Sequence, residues 1–120
     1  MSGQPIVHLE FATQDPQATG KFYADLCGWR LNLAEQFDYL MFEAGSGPGG
    51  AFVKAGDAQM RPDEVRVYIG TDDIDGMLRR AEELGGKILM PKSEIPGTGW
   101  FGIFTDPDGR QVGLYTNMQG

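Results

Sequence analysis

Residues 97–116, GTGWFGIFTDPDGRQVGLYT, decide the fold because they contain the clearest hairpin signal in the chain. Asp106-Pro107-Asp108-Gly109 predicts a four-residue loop, since proline presets φ at the first central position and glycine accepts the left-handed conformation. Apolar residues recur on both sides of this loop. Two antiparallel strands are therefore expected to meet across it.

If Thr105 lies opposite Arg110, strand alternation predicts which side chains lie on each face of this hairpin. One face then carries only hydrocarbon and aromatic side chains: Phe101, Ile103, Val112 and Leu114. The other face carries Trp100, Phe104, Gln111 and Tyr115 around two glycines, Gly102 and Gly113. Aromatic groups around an open floor are typical of a small-molecule pocket. The alternative is that the two glycines only admit a neighbouring side chain.

The first half of the chain predicts a strand, a helix and three more strands. Val7, Leu9 and Phe11 alternate as in a half-buried strand. Asp15-Pro16 is expected to begin the helix and Gly28 to end it. The predicted buried stripe of this helix is Ala18, Phe22 and Leu26. WRLNLAEQ, DYLMFEAG and AFVKA are the three predicted strands.

The second half repeats this order. Asp72 or Asp73 is expected to cap a helix, and KILMPK and the hairpin supply the last three strands. The predicted buried stripe of this helix is Ile74, Leu78, Ala81 and Leu84. Four pairs of residues correspond between the halves: His8 and Arg66, Asp15 and Asp73, Leu26 and Leu84, and Gly28 and Gly86. This correspondence indicates an internal repeat.

The expected fold class is α+β, with two βαβββ modules forming curved mixed sheets around a central cleft. Module one covers about residues 5–55, a polar connector covers 56–63 and module two covers about 64–116, within a single domain of residues 1–120. Strand alternation points nine candidate site residues into the cleft. They are His8, Glu10, Arg66, Tyr68, Trp100, Gln111 and Tyr115, with Tyr39 and Met41 from the middle strands of module one.

The composition excludes several classes of function. With 10 basic and 17 acidic residues, the net charge of −7 disfavours nucleic acid and anionic membrane surfaces as partners. Cys27 is the single cysteine, so an internal disulfide is excluded and a reducing compartment is expected. The first ten residues, MSGQPIVHLE, lack the pattern of a signal peptide. A cytoplasmic location is therefore expected.

The paired modules, the segments FYADLCGW and IDGMLRRAEELGGKILMPK, and the hairpin PGTGWFGIFTDPDG together resemble the glyoxalase, bleomycin-resistance and extradiol-dioxygenase superfamily, also called vicinal oxygen chelate proteins. The resemblance extends from about Pro5 to Tyr115 and is greatest to the short, single-domain glyoxalase-like proteins. It implies a homodimer. It also implies a divalent metal in the cleft, held by three or four His and Glu side chains.

Of the positions that hold this metal in the superfamily, only His8 has a matching residue. Arg66 and Gly113 occupy two of the other positions, and GGAFVKA supplies neither a carboxylate nor an imidazole at the fourth. A guanidinium has no lone pair to donate to a metal. No metal cofactor is therefore expected, although Glu10 would be a second donor beside His8.

Two functions from different classes follow. The first is a metal-independent binding protein for an aromatic or carboxylate-bearing small molecule, with Arg66 as the anion clamp and the cleft aromatics as walls. The second is a glyoxalase-like lyase or isomerase, or a dioxygenase relative, with His8 and Glu10 as candidate catalytic residues. A third function leaves the cleft vestigial, with the protein acting by association. For His8, Glu10 and Arg66 themselves, the alternative to a chemical role is a self-satisfied polar cluster.

Overall fold

The structure is a computed structural model that describes residues 3–34 and 39–117. These residues form eight strands and two helices in the order β1 (Ile6–Thr13), α1 (Pro16–Cys27), β2 (Arg30–Ala34), β3 (Tyr39–Glu43), β4 (Gly49–Lys54), β5 (Val65–Gly70), α2 (Ile74–Glu83), β6 (Lys87–Ile95), β7 (Gly99–Thr105) and β8 (Gln111–Asn117). The predicted α+β class and the βαβββ order of both halves are confirmed. The predicted strands WRLNLAEQ and DYLMFEAG extended into residues 35–38, which lie outside the described residues.

The described residues form two compact units. The first unit lies between residues 8 and 66 and has the strand order β2-β3-β4-β1. The second unit contains residues 3–7 and 67–117 and has the strand order β5-β8-β7-β6. Each unit has one parallel pair, β1 with β4 and β5 with β8, beside antiparallel neighbours. Neither described helix is long and apolar enough to cross a membrane.

The two helices begin where the sequence predicts. The side chain of Asp15 accepts a hydrogen bond from the amide of Ala18, and that of Asp73 accepts one from the amide of Gly76. Both are N-caps that satisfy an amide lacking an intrahelical partner. Gly28 ends α1 in the left-handed conformation, with φ at 74°.

The predicted buried stripe of α1 is wrong. Phe22 and Leu26 are 59% and 68% exposed, and the buried residue of the helix is Gly20. A Cβ at Gly20 would lie 2.8 Å from Leu40 and 3.4 Å from Phe52, so the glycine lets the helix approach the sheet closely. The contact face therefore runs through Gly20 and Tyr23, which turns the apolar stripe outward.

The core of the first unit is mainly aromatic. Phe42 and Phe52 are buried, and Trp29 stacks on Phe42 with ring centroids 4.4 Å apart. Tyr23 stacks on Trp29 at 5.4 Å, and Phe11 packs on Phe52 at 5.6 Å. This cluster occupies the helix side of the sheet and leaves the opposite face for other residues.

The core of the second unit centres on Ile74, Leu78 and Leu114, which are 2%, 3% and 0% exposed. Two members of the predicted α2 stripe, Ile74 and Leu78, are therefore buried as expected. Leu84 is not: it is the C-cap of the helix and is 63% exposed.

The predicted register of the hairpin is wrong by one residue. Thr105 pairs with Gln111 rather than Arg110, so the loop has five residues, 106–110. Asp106 holds this longer loop, because its backbone amide donates to the carbonyl of Arg110 and its carboxylate accepts from the amides of Asp108 and Arg110. Gly109 takes the predicted positive φ, 88°.

A shift of one residue exchanges the faces of one strand relative to its partner. Trp100, Gly102 and Phe104 consequently share a face with Val112, Leu114 and Thr116, and this face packs against α2. The prediction that Trp100 shares a face with Gln111 and Tyr115 is wrong. Phe101 and Ile103 share that face instead, opposite Tyr115 and Gly113.

The two glycines do not form an open floor. A Cβ at Gly102 would lie 3.1 Å from Ile74 and 3.2 Å from Leu78, so Gly102 accommodates α2. Gly113 lies on the opposite face, directly under the ring of Tyr68. The alternative interpretation, in which each glycine admits a neighbouring side chain, describes both positions.

We predict that Gly113→Ala destabilises the protein. The added Cβ would overlap the ring of Tyr68, which is 7% exposed and so has little room to move. Overpacking of this kind costs about 1–3 kcal/mol of the free energy of unfolding, measurable by urea denaturation. Gly56→Ala is the matched control, because nothing lies within 4 Å of a Cβ there. Equal stability of the two variants would contradict the packing of Tyr68 on Gly113.

Candidate functional site

The candidate site lies on the sheet face of the first unit that is opposite α1. Register places Glu10 beside Ala51 and Ala51 beside Met41, so these three side chains share one face. Alternation along the strands adds His8 and Tyr39 to the same face. We call His8, Glu10, Tyr39 and Met41 the polar face. The prediction that Tyr39 and Met41 lie on the same face as His8 and Glu10 is confirmed.

Glu10 and Arg66 form a buried ion pair. A guanidinium nitrogen of Arg66, Nη1, lies 3.1 Å from Oε1 of Glu10. Arg66 is 5% exposed and Glu10 is 7% exposed. Two charges removed from water in this way depend on each other, because either one alone would be buried without compensation.

Tyr39 connects this ion pair to His8. The hydroxyl of Tyr39 donates to Oε2 of Glu10 at 2.6 Å, and the hydroxyl oxygen of Tyr39 lies 2.8 Å from Nε2 of His8. Tyr39 and His8 are both half-buried, and their rings are nearly parallel with centroids 6.2 Å apart. Ala51, between the strands that carry Glu10 and Met41, is too small to block this contact.

The segment after β4 supplies a second partner of Arg66. Residues 55–60 form turns, and Met60 packs with Ala12 and Ala55 at one end of the first unit. The carbonyl of Ala58 accepts a hydrogen bond of 2.9 Å from Nη2 of Arg66. The guanidinium is therefore held by a carboxylate and a backbone carbonyl. These contacts engage both terminal nitrogens of Arg66 within the protein.

His8 is less deeply buried than Glu10 and Arg66. Burial lowers the pKa of His8 below its ordinary value of 6.5, and the charge of Glu10 opposes that shift with a smaller effect. The imidazole is therefore neutral near pH 7. A neutral imidazole has one nitrogen that donates and one that accepts a hydrogen bond or a proton.

The side chains of this site do not suit a divalent metal. Nε2 of His8 is engaged by Tyr39, and both carboxylate oxygens of Glu10 are engaged by Tyr39 and Arg66. A positive guanidinium beside Glu10 repels a cation. Within residues 3–34 and 39–117, no group of three or more His, Cys, Asp or Glu residues is arranged to hold a metal ion.

The other candidate residues belong to the second unit. Tyr68 pairs with Gly113 across β5 and β8, so Gln111 and Tyr115 lie on the same face as Tyr68. The hydroxyl of Tyr115 lies 3.4 Å from the carbonyl of Thr98, and burial raises the pKa of Tyr115. Trp100 lies on the α2 side, where Nζ of Lys92 is 4.9 Å from the centre of its ring.

Sequence reasoning missed three contributors to these surfaces. Phe101 and Ile103 replace Trp100 on the Tyr68 face, a change that a five-residue loop between Thr105 and Gln111 would have indicated. The carbonyl of Ala58 has no signal in the sequence, because any residue type supplies a carbonyl.

The chain belongs to the glyoxalase-like domain family, whose sequence model matches residues 8–115. A relative in Mycobacterium tuberculosis, CFP32, bears a name that describes it as a glyoxylase. It is 28% identical to the chain over 119 residues, which cover 89% of this chain and 43% of CFP32. The anthracycline biosynthesis protein DnrV of Streptomyces peucetius is 25% identical in an alignment that covers 89% of this chain and 45% of DnrV. The chain thus spans less than half the length of these curated relatives.

Solved structures share the fold at lower sequence identity. Methylmalonyl-CoA epimerase from Mycobacterium tuberculosis matches with a TM-score of 0.73 at 13% identity, covering 96% of this chain and 89% of that one. A glyoxalase/bleomycin resistance protein/dioxygenase superfamily member from Vibrio splendidus matches with a TM-score of 0.68 at 14% identity, covering 97% and 100%. The predicted superfamily resemblance and the glyoxalase-like fold are confirmed.

We predict that Arg66→Met lowers the free energy of unfolding by about 3–5 kcal/mol, because it leaves the Glu10 carboxylate buried without its counter-charge. The double variant Glu10→Gln/Arg66→Met removes both charges and should recover part of this loss. The measurement is a double-mutant cycle by urea denaturation.

Arg80 and Glu83 supply the matched control. Their side chains are 66% and 63% exposed and lie 3.0 Å apart on α2. The same substitutions there should change the free energy of unfolding by less than about 1 kcal/mol. Additive effects at Glu10 and Arg66 would contradict the dependence of one charge on the other.

We also predict that His8 makes stability depend on pH. The folded state binds a proton at His8 less readily than the unfolded state, whose imidazole has a pKa near 6.5. Below that value the unfolded state binds more protons, so the free energy of unfolding falls as the pH falls. Lowering the pH from about 7.5 to about 5.5 should therefore destabilise wild type more than His8→Gln. Parallel pH profiles from urea denaturation would contradict this prediction.

Proposed function

We propose that this chain is a small-molecule binding protein of the glyoxalase/bleomycin-resistance type and that it binds its ligand at the polar face without a metal ion. The observation that carries this proposal is the state of Glu10. Both of its oxygens are engaged, one by Tyr39 and one by Arg66. The residue that would have been the second metal donor is thus part of the protein's own framework. His8, Tyr39 and Met41 are the half-buried members of the polar face and supply the binding surface.

The same contacts favour one class of ligand. The charge of Arg66 is balanced by Glu10, so the polar face offers no excess positive charge to a carboxylate. An aromatic ligand without a net negative charge suits the flat ring of Tyr39, the imidazole and the thioether of Met41. We therefore favour the aromatic class over the carboxylate-bearing class.

The test is thermal unfolding in the presence of phenol, benzoate or Mn²⁺. A ligand that binds only the folded state stabilises it by RT ln(1 + [L]/Kd), about 2.7 kcal/mol at a concentration one hundred times Kd. We expect phenol to raise the Tm more than benzoate does, and Mn²⁺ to leave it unchanged.

Two variants locate the binding. His8→Ala should abolish the rise in Tm with phenol. Lys21→Ala should keep it, because Lys21 is an exposed residue of α1 whose ion pair is with Asp25. A rise in Tm with Mn²⁺ in wild type that disappears in His8→Ala would overturn the metal-free proposal.

A second candidate function is a glyoxalase-like lyase or isomerase that moves a proton next to a carbonyl. The hydrogen-bonded chain from His8 through Tyr39 to Glu10 favours it, because a neutral imidazole in such a chain is a proton acceptor. The two functions differ in the effect of His8→Ala. Turnover lost with affinity retained would identify an enzyme, and affinity lost without turnover in wild type would identify a binder.

Self-association of the chain also stays a prediction. Phe22 and Leu26 lie one turn apart on the outer side of α1 and are mostly exposed. Exposed apolar side chains grouped in this way are a feature of interaction surfaces. Homodimer formation would bury them.

A further inference from the structure

The outer side of α1 carries an apolar ridge. Ala18, Phe22 and Leu26 follow one another at intervals of four residues, so their side chains lie in one row along the helix. All three residues are exposed, Phe22 to 59% and Leu26 to 68%, because the helix turns Gly20 toward its own sheet instead. A row of this kind usually packs against another element, whereas this one lies at the surface of the first unit.

The internal repeat shows that the fold does not require this ridge. Gly20 of α1 corresponds to Leu78 of α2 and both are buried, so the two helices turn the same side toward their sheets. The outward position of Phe22 corresponds to Arg80, whose side chain is 66% exposed. One unit thus has a charged, solvated side chain where the other has an exposed aromatic ring. An exposed apolar group that helix packing does not need is a feature of an interaction surface.

The charges beside the ridge are balanced. Residues 17–26 of α1 carry one positive and one negative side chain, Lys21 and Asp25, which lie 2.7 Å apart and are 76% and 67% exposed. Each of them directly precedes a residue of the ridge, so both lie on the same flank of it. The net charge of the whole chain is −7, which opposes self-association. The outer side of α1 contributes nothing to that repulsion.

We propose that two copies of this chain associate through α1 in antiparallel orientation, with Lys21 of each copy opposite Asp25 of the other. A two-fold axis perpendicular to the helices brings the same flank of both helices together, so two such ion pairs form. In this register the ridges interdigitate, because Leu26 of one copy lies level with the gap between Ala18 and Phe22 of the other. A parallel arrangement would place the two charged flanks on opposite sides of the helix pair.

This association is independent of the proposed ligand, because the polar face lies on the other side of the sheet from α1. The contact is small, since twelve residues make a helix only about 18 Å long. Interfaces that bury less than about 1,200 Å² are typical of weak association. We therefore expect a dimer that dissociates on dilution, measured by sedimentation velocity over a wide range of protein concentration. Wild type that is monomeric throughout this range would overturn the proposal.

Leu26→Glu tests the surface. It places two carboxylates in the apolar contact and should shift the protein to the monomer. Leu84→Glu is the matched control, because Leu84 corresponds to Leu26 in the repeat and is 63% exposed on α2. The control should dimerise as wild type does. A dimer that persists in Leu26→Glu, or an equal loss in both variants, would overturn α1 as the interface, although the chain would still self-associate in wild type.

Charge exchange tests the pairing of the flanks. Lys21→Glu and Asp25→Lys each bring like charges together in the antiparallel pair, so each variant alone should dimerise more weakly than wild type. An equimolar mixture of the two variants should associate more tightly than either one, because every facing pair then has opposite charges. Glu83→Lys, at the α2 position that corresponds to Asp25, is the control and should dimerise as wild type does. Single variants that also match wild type would overturn the pairing.

Disulfide formation tests the register directly. Cys27 is the single cysteine and is exposed, so it is first replaced in a Cys27→Ala background. Chains with Lys21→Cys and chains with Asp25→Cys are then mixed, oxidised with diamide and separated by mass. The antiparallel register predicts that the mixed dimer exceeds both homodimers. Homodimers in excess of the mixed dimer would overturn the register.

Discussion

The ion pair between Glu10 and Arg66 is the interaction on which the candidate site depends. Both residues are more than nine-tenths buried, so each charge requires the other and both require further hydrogen bonds. Tyr39 and the carbonyl of Ala58 supply two of these bonds. The positions of Tyr39 and of the segment at residues 55–60 are consequently linked to the same pair of charges. His8 joins the network at its more accessible end, through the hydroxyl of Tyr39.

This network engages side chains that the superfamily resemblance associates with a metal site. His8 is retained at a ligand position, but the carboxylate nearest to it is occupied by a tyrosine and an arginine. At another of these positions stands Gly113, and the ring of Tyr68 covers the space that a side chain would take there. The carboxylate of Glu10 and the space above Gly113 are therefore both taken up by contacts within the protein. The fold is that of the family, and the polar face contains a network of hydrogen bonds within the protein.

The hairpin at residues 97–116 shows how one additional loop residue changes which side chains share a face of the sheet. Asp106 accepts hydrogen bonds from two amides of the loop and so stabilises five residues where four were predicted. Each residue of β7 therefore pairs with a residue of β8 that lies one position later than predicted. Trp100 consequently belongs to the helix-packed core, and Gly102 and Gly113 come to serve different faces. Both glycines are places of close approach, which is a common reason for glycine within a strand.

The sequence by itself determined the family, the α+β class, the order of both βαβββ halves, the caps Asp15, Asp73 and Gly28, and the grouping of His8, Glu10, Tyr39 and Met41 on one face. These features follow from local chemistry: turn formers, capping side chains and the two-residue period of a strand. Only the tertiary structure decided the hairpin register, the outward turn of Phe22 and Leu26, the covering of Gly113 by Tyr68 and the bridge from His8 to Arg66. Each of these depends on distances between residues far apart in the chain, such as the approach of α1 at Gly20 or of Tyr39 to Glu10. The pattern along one segment indicates which of its side chains share a face. It does not indicate which distant residue each side chain contacts.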